Sequence, residues 1–316
     1  RRHRFALFVV VAGVSLAGCR ESEQLGEALS VSSAGSAAGS SGTAGARAAA
    51  AGGSGTSGNA GAAAAPKPDS VKVTIDSGVV VGESAGGVNV FRGVPFAKPP
   101  VGELRWKPPQ MPDRWPGERA AVAFEPPCAQ PVNIDGKTAN GGGVFGATSE
   151  DCLYLNVYAP SQAEKAPIMV WLHGGAFFLG AGHLGSFNGT SNAKQGVITV
   201  SINYRLGSLG GFAHSALTKE AASDEWLGSY ALMDAVAALE WVQRNAAMFG
   251  GDPKNVTLAG QSAGAVAVMH LLSVPRAKGL FHKAIVQSGA NTRPDSKLPD
   301  AEKSGAETAT ALGLPG

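Results

Sequence analysis

The order of apolar runs along the chain predicts an α/β fold, an open, doubly wound, mostly parallel sheet preceded by a small N-terminal antiparallel β-meander. Three observations predict it. Ile168 to Leu172 in "APIMVWLHGG", Val197 to Ile202 in "GVITVSINY", Asn255 to Ala259 in "NVTLAG" and the run "KAIVQSG" from Lys283 are apolar without alternation, as strands covered on both faces are. Between the second and third runs, Leu232, Val236, Leu239 and Val242 recur at helical spacing until Gly250, Gly251 and Pro253 end the helix. After the third run a glycine-framed turn leads into the helix-forming "AVAVMHLL". Strand, helix, strand, helix, strand is the order of a doubly wound sheet.

Taken from the N-terminus, "RRHRFALFVVVAGVSLAGC" has a basic start, an apolar run from Phe5 to Leu16 and small residues before Cys19, the pattern of an export signal over residues 1–18. The run is short for a membrane span. Leu16-Ala17-Gly18-Cys19 resembles the lipobox of bacterial lipoproteins, which makes Cys19 a candidate lipid-bearing residue; an ordinary cleaved signal with a chance cysteine is the alternative. Residues 31–65 are almost entirely Ser, Gly, Ala and Thr, a flexible tether with nothing to bury, so 19–66 reads as a lipidated cysteine plus linker. Attachment through a lipid on Cys19 to a bacterial membrane or cell surface is expected, without spanning. Without Arg1, Arg2 and Arg4, 23 basic side chains face 24 acidic ones, which gives no footprint for nucleic acid.

The body, 67–316, begins with "VKVTI", "GVVVGE" and "GVNVFRG", short strands and turns that predict a peripheral meander. The proline-dense "GVPFAKPPVGELRWKPPQMPDRWPG" predicts a long ordered loop, because proline has no amide donor and a fixed φ; Trp106 and Trp115 are its expected packing anchors. Cys128 and Cys152 are an even pair in a chain read as exported, so a disulfide is the default, worth about 3 to 4 kcal/mol by chain entropy. A metal site lacks clustered Cys and His ligands.

The turn "LAGQSAGAV" frames Ser262 between Gly260 and Gly264. With 44 glycines in the chain, roughly half of one such motif is expected by chance, so its context decides. A strand, a sharp serine-bearing turn and a helix are the context a nucleophile elbow needs, and the helix N-terminus favours negative charge there. "HGGAFF", His173 to Phe178, follows the first parallel strand, where glycine lets backbone amides approach a substrate closely. The expected oxyanion donors are the amides of Gly175, Ala176 and Ala263. Phe177 and Phe178 suggest an apolar wall beside them, although such residues are more often core.

With these motifs the chain resembles the type B carboxylesterases and cholinesterase-like lipases of the α/β-hydrolase fold. "FRGVPFAKPPVGELRWKPP", "EDCLYLNVYAP", "FGGDPKNVTLAGQSAG" and "LFHKAIVQSG" follow in that family's order. The resemblance implies that Cys128 pairs with Cys152, that Ser262 is acylated, and that Ser288 supports the site without touching the reacting atoms. Gln261 stands where many members carry glutamate, which implies weaker stabilisation of cationic groups.

Serine needs a histidine and the histidine an acid, in the chain order serine, acid, histidine in this fold. Only His270 and His282 follow Ser262. His270 is eight residues down the same helix, about 12 Å by helical rise, and His282 precedes the last strand at the edge opposite the elbow. His173 is expected to support the oxyanion segment, while His183 and His214 fall in loops. Asp295 is the one tempting acid. The acid and histidine are therefore expected beyond residue 316, with the sheet unfinished, its edge exposed and the chain inactive by itself. The function expected is a serine carboxylic ester hydrolase acting on a small-molecule ester without metal or organic cofactor. A noncatalytic, cholinesterase-like binding module is the alternative.

Overall fold

The computed structural model describes residues 9–12 (backbone only), 68–133, 135–221, 227–289 and 296–313. Its strands are β1 (Val9–Ala12), β2 (Asp69–Ile75), β3 (Gly78–Ala85), β4 (Val88–Pro95), β5 (Glu118–Ala120), β6 (Tyr154–Pro160), β7 (Ala166–Leu172), β8 (Ile198–Ile202), β9 (Gly251–Gln261) and β10 (Lys283–Gln287). The helices are α1 (Thr190–Lys194), α2 (Gly207–Gly210), α3 (Ser215–Glu220), α4 (Tyr230–Asn245), α5 (Ala263–Leu271) and α6 (Leu298–Ala311). One sheet runs β1-β10-β9-β7-β8-β6-β4-β3-β2, with β5 on β3. Strands β8, β7, β9, β10 and β1 pair in parallel; β2, β3, β4, β6 and β8 pair antiparallel in that order.

Several expectations change. The meander is not a peripheral unit, because β6 lies between β4 and β8 and stitches it into the main sheet. The proline-dense stretch is not loop throughout. Its Gly93, Val94 and Pro95 finish β4, where the register shifts between Phe91 and Val94 and the Gly93 amide donates to Asn156 Oδ1 at 3.0 Å. A bulge satisfied by a side chain lets the strand reach a proline at its last position, where a missing donor costs least. From Phe96 to Gly117 the stretch is loop apart from one 3₁₀ turn, Gly102–Leu104. Trp106 donates its indole N–H to Ser208 O at 2.8 Å and stacks on Phe212, while Trp115 donates to Val79 O.

Burial on both faces holds for β8, all five of whose residues are buried, but β7 alternates between buried and half-buried residues, and in β10 only Ala284 and Val286 are buried, with Lys283 exposed. One face carries α4 and α5, whose Val236, Leu239, Trp241, Val242, Val268 and Leu271 pack on Ile168, Val170, Leu172, Val256 and Leu258 in a single core. The other carries the five-residue α1, whose Ala193 meets Tyr158 and Val88. The outer edge of β10, expected bare, pairs in parallel with β1 over four residues. Valine-rich sequence suits such a ladder.

Candidate active site

The parallel strands end together, and the last residues of β7, β9 and β10 bring three segments to one place. Strand β9 continues through Gln261 and α5 starts at Ala263, so the sharp turn expected from Gly260 to Gly264 is Ser262 alone. Its backbone stands at φ 53° and ψ −119°, a conformation costing an L-residue about 1 to 3 kcal/mol and kept only where the surroundings enforce it. They do so. The Ser262 amide donates to Gln287 O at the end of β10 at 2.9 Å, and Ser262 O accepts from Val266 N at 2.9 Å. Although Ser262 occupies the N-cap position, its side chain makes no capping hydrogen bond. The Ala263 amide, first in the helix, has no intrahelical carbonyl to bond.

Glycine is required here by close approach. A β-carbon on Gly260 would stand 2.5 Å from the Gly264 carbonyl carbon, and one on Gly264 would lie 2.6 Å from His173 O. The loop after β7 thus lies directly on the elbow. A β-carbon on Gly174 would come within 3.2 Å of Ser262 Cβ.

That loop is itself forced. Gly175, Ala176 and Phe177 have φ of 115°, 54° and 62°, a run in the left-handed region where only glycine is at ease. Phe178 N and Leu179 N both donate to Gly175 O at 2.9 Å, Gly207 N donates to Phe177 O at 2.7 Å, and Gly182 N donates to Asn203 Oδ1 at 2.9 Å. Three left-handed residues turn the backbone back on itself beside Ser262, leaving Ala176 exposed. Phe177 is half-buried against the core; Phe178, 61% exposed, walls an open cavity of about 340 Å³ with Ala176, Arg205, Leu232 and His270.

His173 is buried and stacked on Tyr204, with ring centroids 4.2 Å apart, and Tyr204 donates its hydroxyl to His173 O at 2.5 Å. Nδ1 lies 2.8 Å from Gly174 O, which fixes the tautomer with hydrogen on Nδ1. Burial pushes its pKa down to about 4 despite that carbonyl, so it is neutral and serves the loop rather than the chemistry. Burial also lowers the pKa of His183, which stacks on Phe124, and raises that of Tyr204, keeping its hydroxyl protonated.

The ion pair of Arg205 with Asp234 gave no signal in the sequence. Both are buried, and Asp234 accepts from Arg205 N, Nε and Nη2 at 2.8 to 3.2 Å. It fastens the end of the β8 segment to α4 immediately before Gly207, the residue that donates to Phe177 O. Cys128 and Cys152 are joined by a disulfide with Cα atoms 4.9 Å apart.

Of the remaining candidates, His270 sits in the last turn of α5 and borders the cavity beside Phe178. His282 is at the far end of the sheet from the elbow, exchanging hydrogen bonds with Val256 near the start of β9's paired segment. His214 caps α3 by accepting from Ala216 N. Gln261 is half-buried against the Gly174 position, and Ser288, at φ 52°, follows the carbonyl that holds Ser262. Asp295 and Cys19 lie outside the described residues.

A family model described as the carboxylesterase family matches residues 69–316. The chain is 44% identical over 233 residues to fumonisin B1 esterase of Sphingopyxis macrogoltabida, covering 73% of this chain and 42% of that protein. It is 47% identical over 221 residues to para-nitrobenzyl esterase of Bacillus subtilis, covering 69% and 44%. Among solved structures, a PNB esterase superposes with a TM-score of 0.68 at 41% identity, covering 77% of this chain and 49% of the other. A carboxylesterase of Geobacillus stearothermophilus does so with 0.68 at 39%, covering 77% and 48%. The chain thus spans a little under half the length of the relatives it matches, and that stretch has the α/β-hydrolase sheet and elbow. On a match running through residues 69–316, this chain belongs to the carboxylesterase family.

Proposed function

We propose that the protein is a serine carboxylic ester hydrolase working through an acyl-enzyme. The observation that carries this reading is the strained Ser262 at a one-residue strand-to-helix turn, with the glycine loop of β7 pressed against it. Ser262 Oγ surrenders its proton to a histidine base and attacks the ester carbonyl carbon. The carbonyl π pair moves to oxygen, which accepts hydrogen bonds from the amides of Gly175, Ala176 and Ala263. Re-forming the carbonyl breaks the bond to the alkoxy oxygen, which leaves with the proton as alcohol. Water repeats the sequence on the acyl-serine, releasing the acid and restoring Ser262. No step uses a metal or organic cofactor. Gly260 and Gly264 permit the turn, and Gln261 and Ser288 flank it. The base and its acid come, in this reading, from beyond residue 316, since His270 lies about 12 Å down its helix from Ser262, His173 is held by its own loop, His214 caps α3 and His282 bonds Val256 at the far end of the sheet.

In the same reading, residues 1–18 direct export and are removed, which takes β1 from the edge of β10, Cys19 carries a lipid and the segment to residue 66 tethers the esterase body to a bacterial membrane surface. A Cys19→Ala protein is expected to move from the membrane to the soluble fraction.

Treating the full-length protein with a fluorophosphonate probe tests the chemistry. Labelling on Ser262, abolished by Ser262→Ala together with p-nitrophenyl ester turnover, is the expected result. A labelled Ser262→Ala protein, or an unlabelled wild type, would reject it.

A further inference from the structure

We propose that Gln130, in the loop closed by the disulfide, is a positioning residue that holds the oxyanion loop in its left-handed conformation. The proposal rests on the role given above to the amides of Gly175 and Ala176.

Every hydrogen-bonding position of the Gln130 carboxamide is used. Its Oε1 accepts from Gly180 N at 2.8 Å and from Asn140 Nδ2 at 3.1 Å, and its Nε2 donates to Gly180 O at 2.8 Å and to Cys128 O at 3.0 Å. A primary amide offers two donors and two acceptor positions, so it is saturated. Two of the four bonds grip both backbone groups of one residue, Gly180, fifty positions away, as a neighbouring strand would. The other two fix the side chain to its own loop. Asn140 is itself tied down, donating to Pro131 O and accepting from Gly142 N and Val144 N.

Gly180 is where this grip reaches the site. A β-carbon there would lie 2.5 Å from His173 Nδ1 and 2.6 Å from Gly174 O, so the residue is packed against the start of the oxyanion loop while ending it in sequence. Gly175 is packed likewise against the Leu179 backbone. Between these points Ala176 and Phe177 stand at positive φ, so the backbone gains by relaxing toward the right-handed region. Such a turn persists only if both its ends are fixed. Tyr204 fixes the first through His173 O, and Gln130 fixes the second through Gly180.

The consequence is selective. Loosening Gly180 swings amides that matter when the carbonyl oxygen carries negative charge, and leaves the bound ester's other contacts in place. Loss should therefore fall on kcat and on transition-state binding.

The test uses the full-length protein with Gln130→Glu, which keeps the shape but removes both donors, and Gln130→Met, which removes all four bonds. With p-nitrophenyl esters, kcat is expected to fall by about 10- to 100-fold while KM stays within about threefold. Affinity for a trifluoromethyl ketone, whose serine adduct carries an oxyanion, should fall by the same factor as kcat/KM. Affinity for an unreactive amide analogue of the substrate should not. Wild-type kcat in folded Gln130 variants overturns the proposal, as does an equal loss of affinity for both inhibitors, the mark of general disorder. If neither variant folds, Asn140→Ala decides: it spares Gly180's two bonds but frees the carboxamide, and should lower kcat about threefold or more at constant KM. No change there overturns the proposal. Failure of the esterase reading itself is distinguishable, because it would appear as a wild type without turnover or label.

Discussion

Replacing Gly264 with alanine puts a methyl group into the contact between the elbow and β7. The added carbon would lie 2.6 Å from His173 O and 2.7 Å from the Leu172 carbonyl carbon, with Leu172 O closer still. Ordinary contact begins at 3.4 Å, so α5 must retreat by about 0.8 Å or more from backbone that cannot rotate aside. Overpacking of this kind costs about 1 to 3 kcal/mol, toward the upper end where no side chain can yield. Alanine in a helix returns up to about 1 kcal/mol, for a net loss near 2 kcal/mol. The same retreat draws Ser262 from the amides of Gly175 and Ala176, the proposed oxyanion donors. A displacement approaching 1 Å is expected to slow fluorophosphonate labelling about 100-fold. Urea unfolding and labelling kinetics measure the two effects. Gly185→Ala is the control, since a β-carbon there meets nothing within 4 Å, and it should change stability by less than about 0.5 kcal/mol. A Gly264→Ala protein with wild-type stability and labelling rate would refute the reasoning.

Between about pH 6.5 and pH 4 the unfolded chain protonates residue 173 while the folded protein, whose His173 pKa is pushed down to about 4 by burial, does not, so stability falls as pH drops through this window. The whole loss is about 3 kcal/mol at about 1.4 kcal/mol per pH unit; His183 adds in the same direction, and urea midpoints should show a slope that flattens in His173→Gln. Asp234→Ala strands the Arg205 guanidinium, 3% exposed, without its partner, and should cost about 3 to 5 kcal/mol by chemical denaturation. Reducing the Cys128–Cys152 disulfide should lower stability by about 3 to 4 kcal/mol in the same assay, and an unchanged midpoint after complete reduction would count against the loop-entropy account.

The parallel half of the sheet was legible because its strands are short, largely apolar runs, although only β8 is buried on both faces, and the elbow because its glycines are demanded by backbone contact. Strand β6 was not, although five of its seven residues are buried. Its Asn156 breaks the apolar pattern, and the reason lies sixty-three residues back, at the bulge whose Gly93 amide it receives. Pro95 likewise argued for loop, since nothing local shows that β4 runs on past a bulge to end there. Arg205 and Asp234 are separated by twenty-nine residues, and Gln130 and Gly180 by fifty, so each looks like an ordinary polar residue until the fold brings it to its partner. The loop after β7 could be singled out from its glycines, but the left-handed conformations of Ala176 and Phe177 could not, because their own side chains disfavour them.

The sheet order sets a schedule for synthesis. Strands β6 and β7 follow one another in the chain yet never touch, because β8 lies between them. When β7 has left the ribosome, neither it nor the inner edge of β6 has a partner, and both wait for thirty more residues, about 1.5 to 6 seconds at typical elongation rates. The segment that closes this gap, Ile198–Ile202, is, among the strands whose burial is described, the one buried along its entire length. Until it is inserted, the inner edge of β6 and both edges of β7 stand open and sticky. Slowing translation between codons 160 and 202 should therefore raise aggregation more than slowing it after residue 261, where β9 has already sealed the other side of β7.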